Sequence, residues 1–492
     1  MKAWHGIRML ALVLFGGVVG GCGPVPEGQG AQAEVETLPG VAAAGGADLE
    51  GGRGKAKARQ GPSGLKPEGL VGHDGRVFFS ADDGERGREL WMSPGESGCV
   101  SLVKDIRAGV PGSVPRFLTP MGKWVYFVAD DGVHGPELWR TDGTTVGTTL
   151  VRDVLPGALG SAPRGLTPVG DWLYFTAEDG GHGRELWRTD GTPEGTVLAH
   201  EFVAGPGSLQ LMELTAWGDG LALVSYSDDE AVLWRVGAEG APLRVYSTLV
   251  GVLVSLRPVG ERLFFVRDAG MDEGELWVTT ARGGGARRLR AFPGALPAQL
   301  TAMGNAVYFT AGAEGFLGSA GDVLHGGELW RSDGTEWGTR LVRDIRPGPT
   351  GSLPSNLVVM DGVLYFAADD GWRGRELWRT DGSLLGTWLV SDIQWGAQGS
   401  EPDQLVAREG RLFFAATTTL HGREAWTSNG WFWWTHQLTD IAPGAASSDP
   451  RSFVYVGPEV FFLAGDGMSE ESLWALPFRL GGSCAVPVGR RR

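Results

Sequence analysis

The sequence predicts an all-β fold, a β-propeller of nine four-stranded blades in one ring, and three observations point to it. An eight-letter phrase recurs, as "ELWRTDGT" at Glu137–Thr144 and Glu185–Thr192, "ELWRSDGT" at Glu328–Thr335 and "ELWRTDGS" at Glu376–Ser383. Followed through its degenerate copies, its tryptophan falls at Trp91, Trp139, Trp187, Trp234, Trp277, Trp330, Trp378, Trp426 and Trp474, most often 48 residues apart. That period is close to the length of one four-stranded blade. The 492 residues also hold 81 Gly, 28 Pro, 20 Trp and 20 Phe, a composition for many short strands joined by tight turns.

The elements of one unit follow in order. "PRFLTPMGK", Pro115–Lys123, reads as a short strand ending in a glycine turn, and "WVYFVA", Trp124–Ala129, as a buried second strand. "ELWRT", Glu137–Thr141, is the third strand and "TTLVRDV", Thr148–Val154, the fourth, after which "LPGALGSAP" crosses to the next unit. The "DG" of Asp142-Gly143 is expected to make a type I′ turn, with positive φ at both residues. Strand alternation sends Leu138 and Trp139 to opposite faces, so each sheet needs a neighbour on both sides. Nine units are visible; eight blades plus a displaced terminal unit is the alternative. Nothing in the sequence requires the ring to close by strand exchange.

These units resemble the bacterial ELWxxDGT repeat family over about residues 65–485, with "REAWTSNG", "ELWVTTARGG", "ELWMSPGESG", "AVLWRVGAEG" and "ESLWALPF" as drifted copies. The resemblance implies a propeller-like fold and assigns no general activity. A looser likeness joins the units to the repeats of TolB-type propellers.

The flanks divide into segments. Residues 1–21 read as a signal peptide: Lys2 and Arg8 precede the apolar stretch Met9–Val19, and "VVGGC" ends at Cys22. This is similar to a bacterial lipoprotein signal, which implies cleavage before Cys22 and its lipidation, a membrane-anchored protein of the cell envelope, and a lipid bilayer as partner; a plain secretory signal is the alternative. The apolar run is too short for a membrane span. Residues 22–64, rich in Gly, Ala, Pro, Glu and Gln, read as a flexible tether with a root-mean-square span of about 35 Å. The propeller is expected over 65–488 and a basic tail over 489–492. Cys99 and Cys484 lie near the two ends of the repeats and are a candidate disulfide clasping first to last, with two separate thiols as the alternative.

A net charge of −15 argues against nucleic acid as a partner, since phosphate binding needs clustered Lys and Arg. The second-to-third loops and the crossovers share one propeller face, where carboxylates collect. Asp82, Asp83, Asp130, Asp131, Glu178, Asp179, Asp369 and Asp370 form a candidate ligand or cation face, joined by Asp228-Asp229 and by Asp105, Asp153, Asp344, Asp392 and Asp440 at the fourth-strand ends. Calcium is the cation such oxygens would suit. With no "DxDxDG" ladder in the chain, the ordinary role of Asp and Gly in turns is preferred and no cofactor is expected. His134, His182, His325 and His421 stand at one phase of the repeat and read as turn residues rather than zinc ligands. Glu89, Glu137, Glu185, Glu275, Glu328, Glu376 and Glu424 recur too often to be a catalytic group and read as hydrogen-bond acceptors between blades.

Function is expected where repetition fails: in Gly312–Gly327 and in the aromatic run "GWFWWTH", Gly430–His436, which suits sugars, a protein partner or filling of a blade seam. The leading expectation is a non-catalytic binding or scaffold module with envelope protein or glycan as ligand. The rival is an envelope hydrolase or lyase acting on polysaccharide through one Asp/Glu pair in the central channel.

Overall fold

The Trp139 repeat folds as four antiparallel strands, Arg116–Met121, Trp124–Asp130, Pro136–Thr141 and Thr149–Arg152, close to the expected bounds. The computed structural model describes residues 58–62, 64–95, 100–237, 241–270, 273–281, 285–312, 325–468 and 471–477, all within the compact unit Gly40–Arg492. Among them are nine such sheets, here blades one to nine in chain order, and one short 3-10 turn, Phe432–Trp434. No helix among the described residues is long and apolar enough to cross a membrane.

Inner strands run Glu68–His73, Arg116–Met121, Arg164–Val169, Gln210–Trp217, Val252–Val259, Ala298–Met303, Ser355–Met360, Asp403–Arg408 and Arg451–Val456. Each touches the next, and the ninth touches the first. The ring therefore closes with nine blades, and the last unit is not displaced. Every inner strand carries a bulge where φ turns positive, at Gly69, Phe117, Gly165, Glu213, Ser255, Gln299, Asn356, Gln404 and Ser452. An extra residue bends a strand and increases its twist.

Alternation works as expected. Trp139 packs with Phe78 and Leu90 of blade one, whereas Leu138 packs with Phe175 and Trp187 of blade three. Nine apolar clusters fill the nine seams, the last joining Phe79 and Trp91 of blade one to Phe461 and Leu463 of blade nine. Burying a large apolar side chain in such a seam stabilises by roughly 1.5–3 kcal/mol.

The ring closes by strand exchange, which the sequence did not require. Blade nine takes its outermost strand from the start of the body: Arg59 and Gln60 pair with Ala475 and Trp474, and Gly61 donates to the Leu473 carbonyl at 2.7 Å. The stretch read as tether to residue 64 thus gives two residues to a sheet. Their strand is too short, and too polar, to stand out before its partner is known. Cys22, Cys99 and Cys484 lie outside the described residues, as do the signal segment and the basic tail.

The turn at Asp142-Gly143 also differs. Only the glycine is left-handed, with φ of 88°, so the connection is not type I′. The Asp142 carboxylate instead accepts the Thr144 backbone N–H at 2.9 Å and the Thr144 hydroxyl at 2.7 Å. The Thr141 and Thr148 hydroxyls pair at 2.7 Å across the base of the loop, and the Gly147 N–H donates to the Thr144 hydroxyl at 2.9 Å. Side chains close this longer loop.

Candidate functional site

One ring face carries the second-to-third loops and the crossovers; the other carries the turns just described. On the loop face the recurrent glutamate organises each crossover. Glu89 accepts the Ser113 N–H at 2.8 Å and the Ser113 hydroxyl at 2.5 Å, together with the Ile106 and Arg107 N–H groups. Glu137 with Ser161, Glu328 with Ser352 and Glu376 with Ser400 repeat this. Burial raises these carboxyls despite their donors, and both Glu328 and Glu376 are pushed up to about 7. Glu275 is the exception: Arg267 and Arg288 hold it at 2.8 and 2.9 Å, and it lies below the usual range because these donors outweigh its desolvation. The acceptor role read from the repetition is the one the structure gives.

Asp82, Asp83, Asp130, Asp131, Asp179, Asp369 and Asp370 of the candidate face accept N–H groups of their own loops, and Asp130 and Asp369 also pair with an arginine of the preceding crossover. Asp130 accepts the Gly132 N–H at 2.7 Å and pairs with Arg107 at 2.6 Å; Asp131 accepts the Val133 and His134 N–H groups and the His134 ring at 2.7 Å. Asp82 accepts the Gly84 N–H, and Asp83 caps Glu85 and Arg86 and pairs with the Arg86 guanidinium at 2.7 Å. Asp179 does the same for Gly181 and His182, Asp369 for Gly371 with Arg346, and Asp370 for Trp372 and Arg373. Glu178 ends the second strand of blade three, Trp172–Glu178, and is exposed. Burial raises Asp131, but the donors from His134 outweigh it and hold the carboxyl below its ordinary range, while the same contact raises His134.

The histidines stay apart. His134 and His182 bind the aspartate of their own loop, whereas His325 and His421 reach Asp344 and Asp440 at the fourth-strand end, at 2.7 and 3.4 Å. Among the described residues no three His, Cys, Asp or Glu side chains come together in a metal-holding group. Oδ1 of Asp153, Asp344, Asp392 and Asp440 has no hydrogen-bond donor.

Repetition breaks on this face at blades seven and eight. Trp372, where blades two and three have Val133 and Gly181, is 83% exposed; Trp395, where Ala108, Pro156, Pro347 and Pro443 stand elsewhere, is 82% exposed. Arg373 beside Trp372 pairs with Asp392 near Trp395 at 3.6 Å, and the Thr419 N–H of blade eight donates to Gln394 Oε1 at 2.8 Å. Both tryptophans escaped the sequence reading, though superposing the repeats shows them as large residues at small-residue positions. Of Gly312–Gly327 only Gly312 and His325–Gly327 are described. The run at Gly430–His436 lies on the opposite face with Trp431, Phe432, Trp433 and Trp434 all exposed, so it does not fill a seam.

At the ring axis four of the bulged residues, Gln299, Asn356, Gln404 and Ser452, line a cavity of about 440 Å³ together with Arg257. Gln299 Oε1 accepts the Asn356 N–H at 2.9 Å and Gln404 Oε1 the Ser452 N–H at 3.3 Å, so carboxamides stitch neighbouring blades. The cavity lining contains no carboxylate.

Fold and loops together define a closed nine-bladed β-propeller. No family model and no curated protein matches the sequence. Solved structures similar to it include a prolyl endopeptidase (13% identity, 72% of this chain and 55% of that one, TM-score 0.42) and a puromycin-hydrolyzing peptidase of Mycobacterium tuberculosis (12%, 84% and 62%, TM-score 0.43). The β-propeller domain of the Trilobed protease from Pyrococcus furiosus, described as having an open velcro topology, is 14% identical over 65% of this chain and 96% of that one, with a TM-score of 0.36. The chain spans little more than half the length of the first two, and no peptidase activity carries over at these identities.

Proposed function

We propose that this chain is a lipoprotein of the cell envelope, a member of the ELWxxDGT repeat group anchored through Cys22, that works as a non-catalytic binding or scaffold propeller. Its partner, an envelope protein or glycan, meets the loop face at blades seven and eight. The observation that carries this reading is the way polar groups are spread. Loop carboxylates recur in blades one, two, three and seven and accept N–H groups of their own loops, while Trp372 and Trp395 stand out to solvent. A catalytic pocket gathers unlike polar groups at one point, whereas a platform repeats like groups around a rim. Exposed indoles supply rigid contact area for a sugar ring or a partner's apolar side chain.

A screen of purified envelope glycans and cell-envelope extract tests it. Trp372→Ala with Trp395→Ala is expected to abolish retention of whatever the unsubstituted protein captures. Release of products from polysaccharide, lost on replacing a single carboxylate, would overturn it.

A further inference from the structure

The turn face of blades six to eight carries a second apolar surface. Its turns present Trp337, Leu384 and Leu385, and then Trp431, Phe432, Trp433 and Trp434; Trp337 is 95% exposed, Leu385 91% and Trp433 75%. The turns abut. Arg331 of blade six donates to the Gly382 carbonyl of blade seven at 3.2 Å, and the Trp388 ring of blade seven meets Trp431 of blade eight at 5.6 Å. The Arg379 guanidinium lies 4.8 Å from Trp388 and 5.6 Å from Trp431 and supports the patch from beneath. At the same turn position blades two and three carry Val146 and Glu194, so the large apolar residues gather on one side of the ring.

Chain direction says what this side faces. The third strand of blade nine, Ser472–Pro477, runs from the loop face to the turn face, and the Arg59–Gln60 strand pairs with it antiparallel. The chain therefore enters the propeller at Ala58 from the turn face, beside blade eight. Upstream, within 36 residues, is Cys22. A tether to that cysteine leaves the propeller on the aromatic side, not the loop side. Exposed leucines beside the tryptophans suit an acyl boundary better than a sugar, whose hydroxyls would lose water against a side chain that can neither donate nor accept.

We propose that this face lies on the lipid surface, with Trp337, Leu385 and Trp433 entering the headgroup boundary and the loop face turned away toward its partner. The inference rests on the envelope reading above. Interfacial binding of this kind grows with the apolar area inserted.

The test uses the chain from residue 22 with Cys22→Ser, so that no acyl group contributes, and vesicles of phosphatidylethanolamine and phosphatidylglycerol. Cosedimentation is expected, with quenching of tryptophan fluorescence by brominated lipid. The variant Trp337→Ser, Leu385→Ser, Trp433→Ser should reduce the bound fraction about tenfold or more, and Trp372→Ser, Trp395→Ser on the other face should leave it unchanged. No sedimentation and no quenching overturns the proposal, as does equal binding by the triple variant. A dimer or a polysaccharide complex that the triple variant abolishes, without vesicle binding, also overturns it. Palmitate labelling of the chain with Cys22 intact separates the two readings, because label on a chain whose Cys22→Ser variant ignores vesicles keeps the anchor and removes the seated face.

Discussion

Arg140 in blade two donates from Nη1 to the carbonyl oxygen of Gly191 in blade three at 2.6 Å, with its guanidinium 4.2 Å from the Trp124 ring. One repeat thereby holds the turn of the next. Arg331, at the same octapeptide position, reaches the Gly382 carbonyl, while in blade one, where that position is Met92, Arg76 of the second strand reaches the Asp142 carbonyl at 2.5 Å. The octapeptide can then be read letter by letter: the glutamate caps the crossover, leucine and tryptophan fill opposite seams, and arginine grips the following blade. Threonine, aspartate, glycine and threonine build the turn that the preceding blade grips.

Replacing Arg140 by alanine removes both the hydrogen bond and the ring contact, and is expected to cost about 1–3 kcal/mol. Arg140→Lys keeps charge but loses the planar stack and should recover less than half of this. Urea unfolding midpoints of the three proteins decide it.

Gly191 has φ of 96°, and a Cβ there would collide with Tyr126 Oη of the preceding blade. Gly170, at φ of 58° in an inner turn, has open space around it. Gly191→Ala is therefore expected to lower stability by roughly 3 kcal/mol or more and Gly170→Ala by about 1 kcal/mol. Similar losses in calorimetry would refute the role given to Tyr126.

Glu328 and Glu376, buried at the crossovers, are pushed up to about 7 from an ordinary 4.5. Between those values the folded chain holds protons that the unfolded chain has released, so stability is full below the lower value and falls as pH rises through the upper. The loss on going from pH 5 to pH 8 should be on the order of 1–3 kcal/mol for each group. Glu328→Gln with Glu376→Gln should flatten the slope, and an unchanged slope in denaturation curves at the two pH values would count against this.

Arg59→Pro with Gln60→Pro removes backbone donors from the strand that completes blade nine. Amide exchange over Ser472–Pro477 is expected to accelerate at least roughly tenfold, while blades three to six keep their protection. Uniform acceleration would mean that the ring opens as one unit.

The architecture was readable because a blade is a local object: a 48-residue period, alternation in "ELW" and glycine at each corner are short-range signals. The glutamates were readable as acceptors because a group that recurs in seven units suits a structural part that every blade needs. What escaped depended on partners far along the chain. Arg59-Gln60 has no strand pattern of its own and acquires one from residues more than 400 positions away, as the Gln60 to Ser472 side-chain bond at 3.3 Å shows. The Asp142 turn was misassigned because the Thr144 hydroxyl donates to the Asp142 carboxylate and the Thr148 hydroxyl to the Thr144 carbonyl, which closes a longer loop. Trp337, Trp372 and Trp395 were hidden by their number; among 20 tryptophans, the ones outside the blade phase show only when the repeats are superposed.

The pairing of Arg59–Gln60 with the ninth sheet sets an order of events. Eight sheets can form as soon as each has been made, but the final one waits until the oldest part of the body meets the youngest. Until then Phe79 and Trp91 at one border, and Phe461 and Leu463 at the other, have no opposite wall. Assembly of the circle is thus tied to completion of the whole chain, and an interrupted copy is left with two sticky rims.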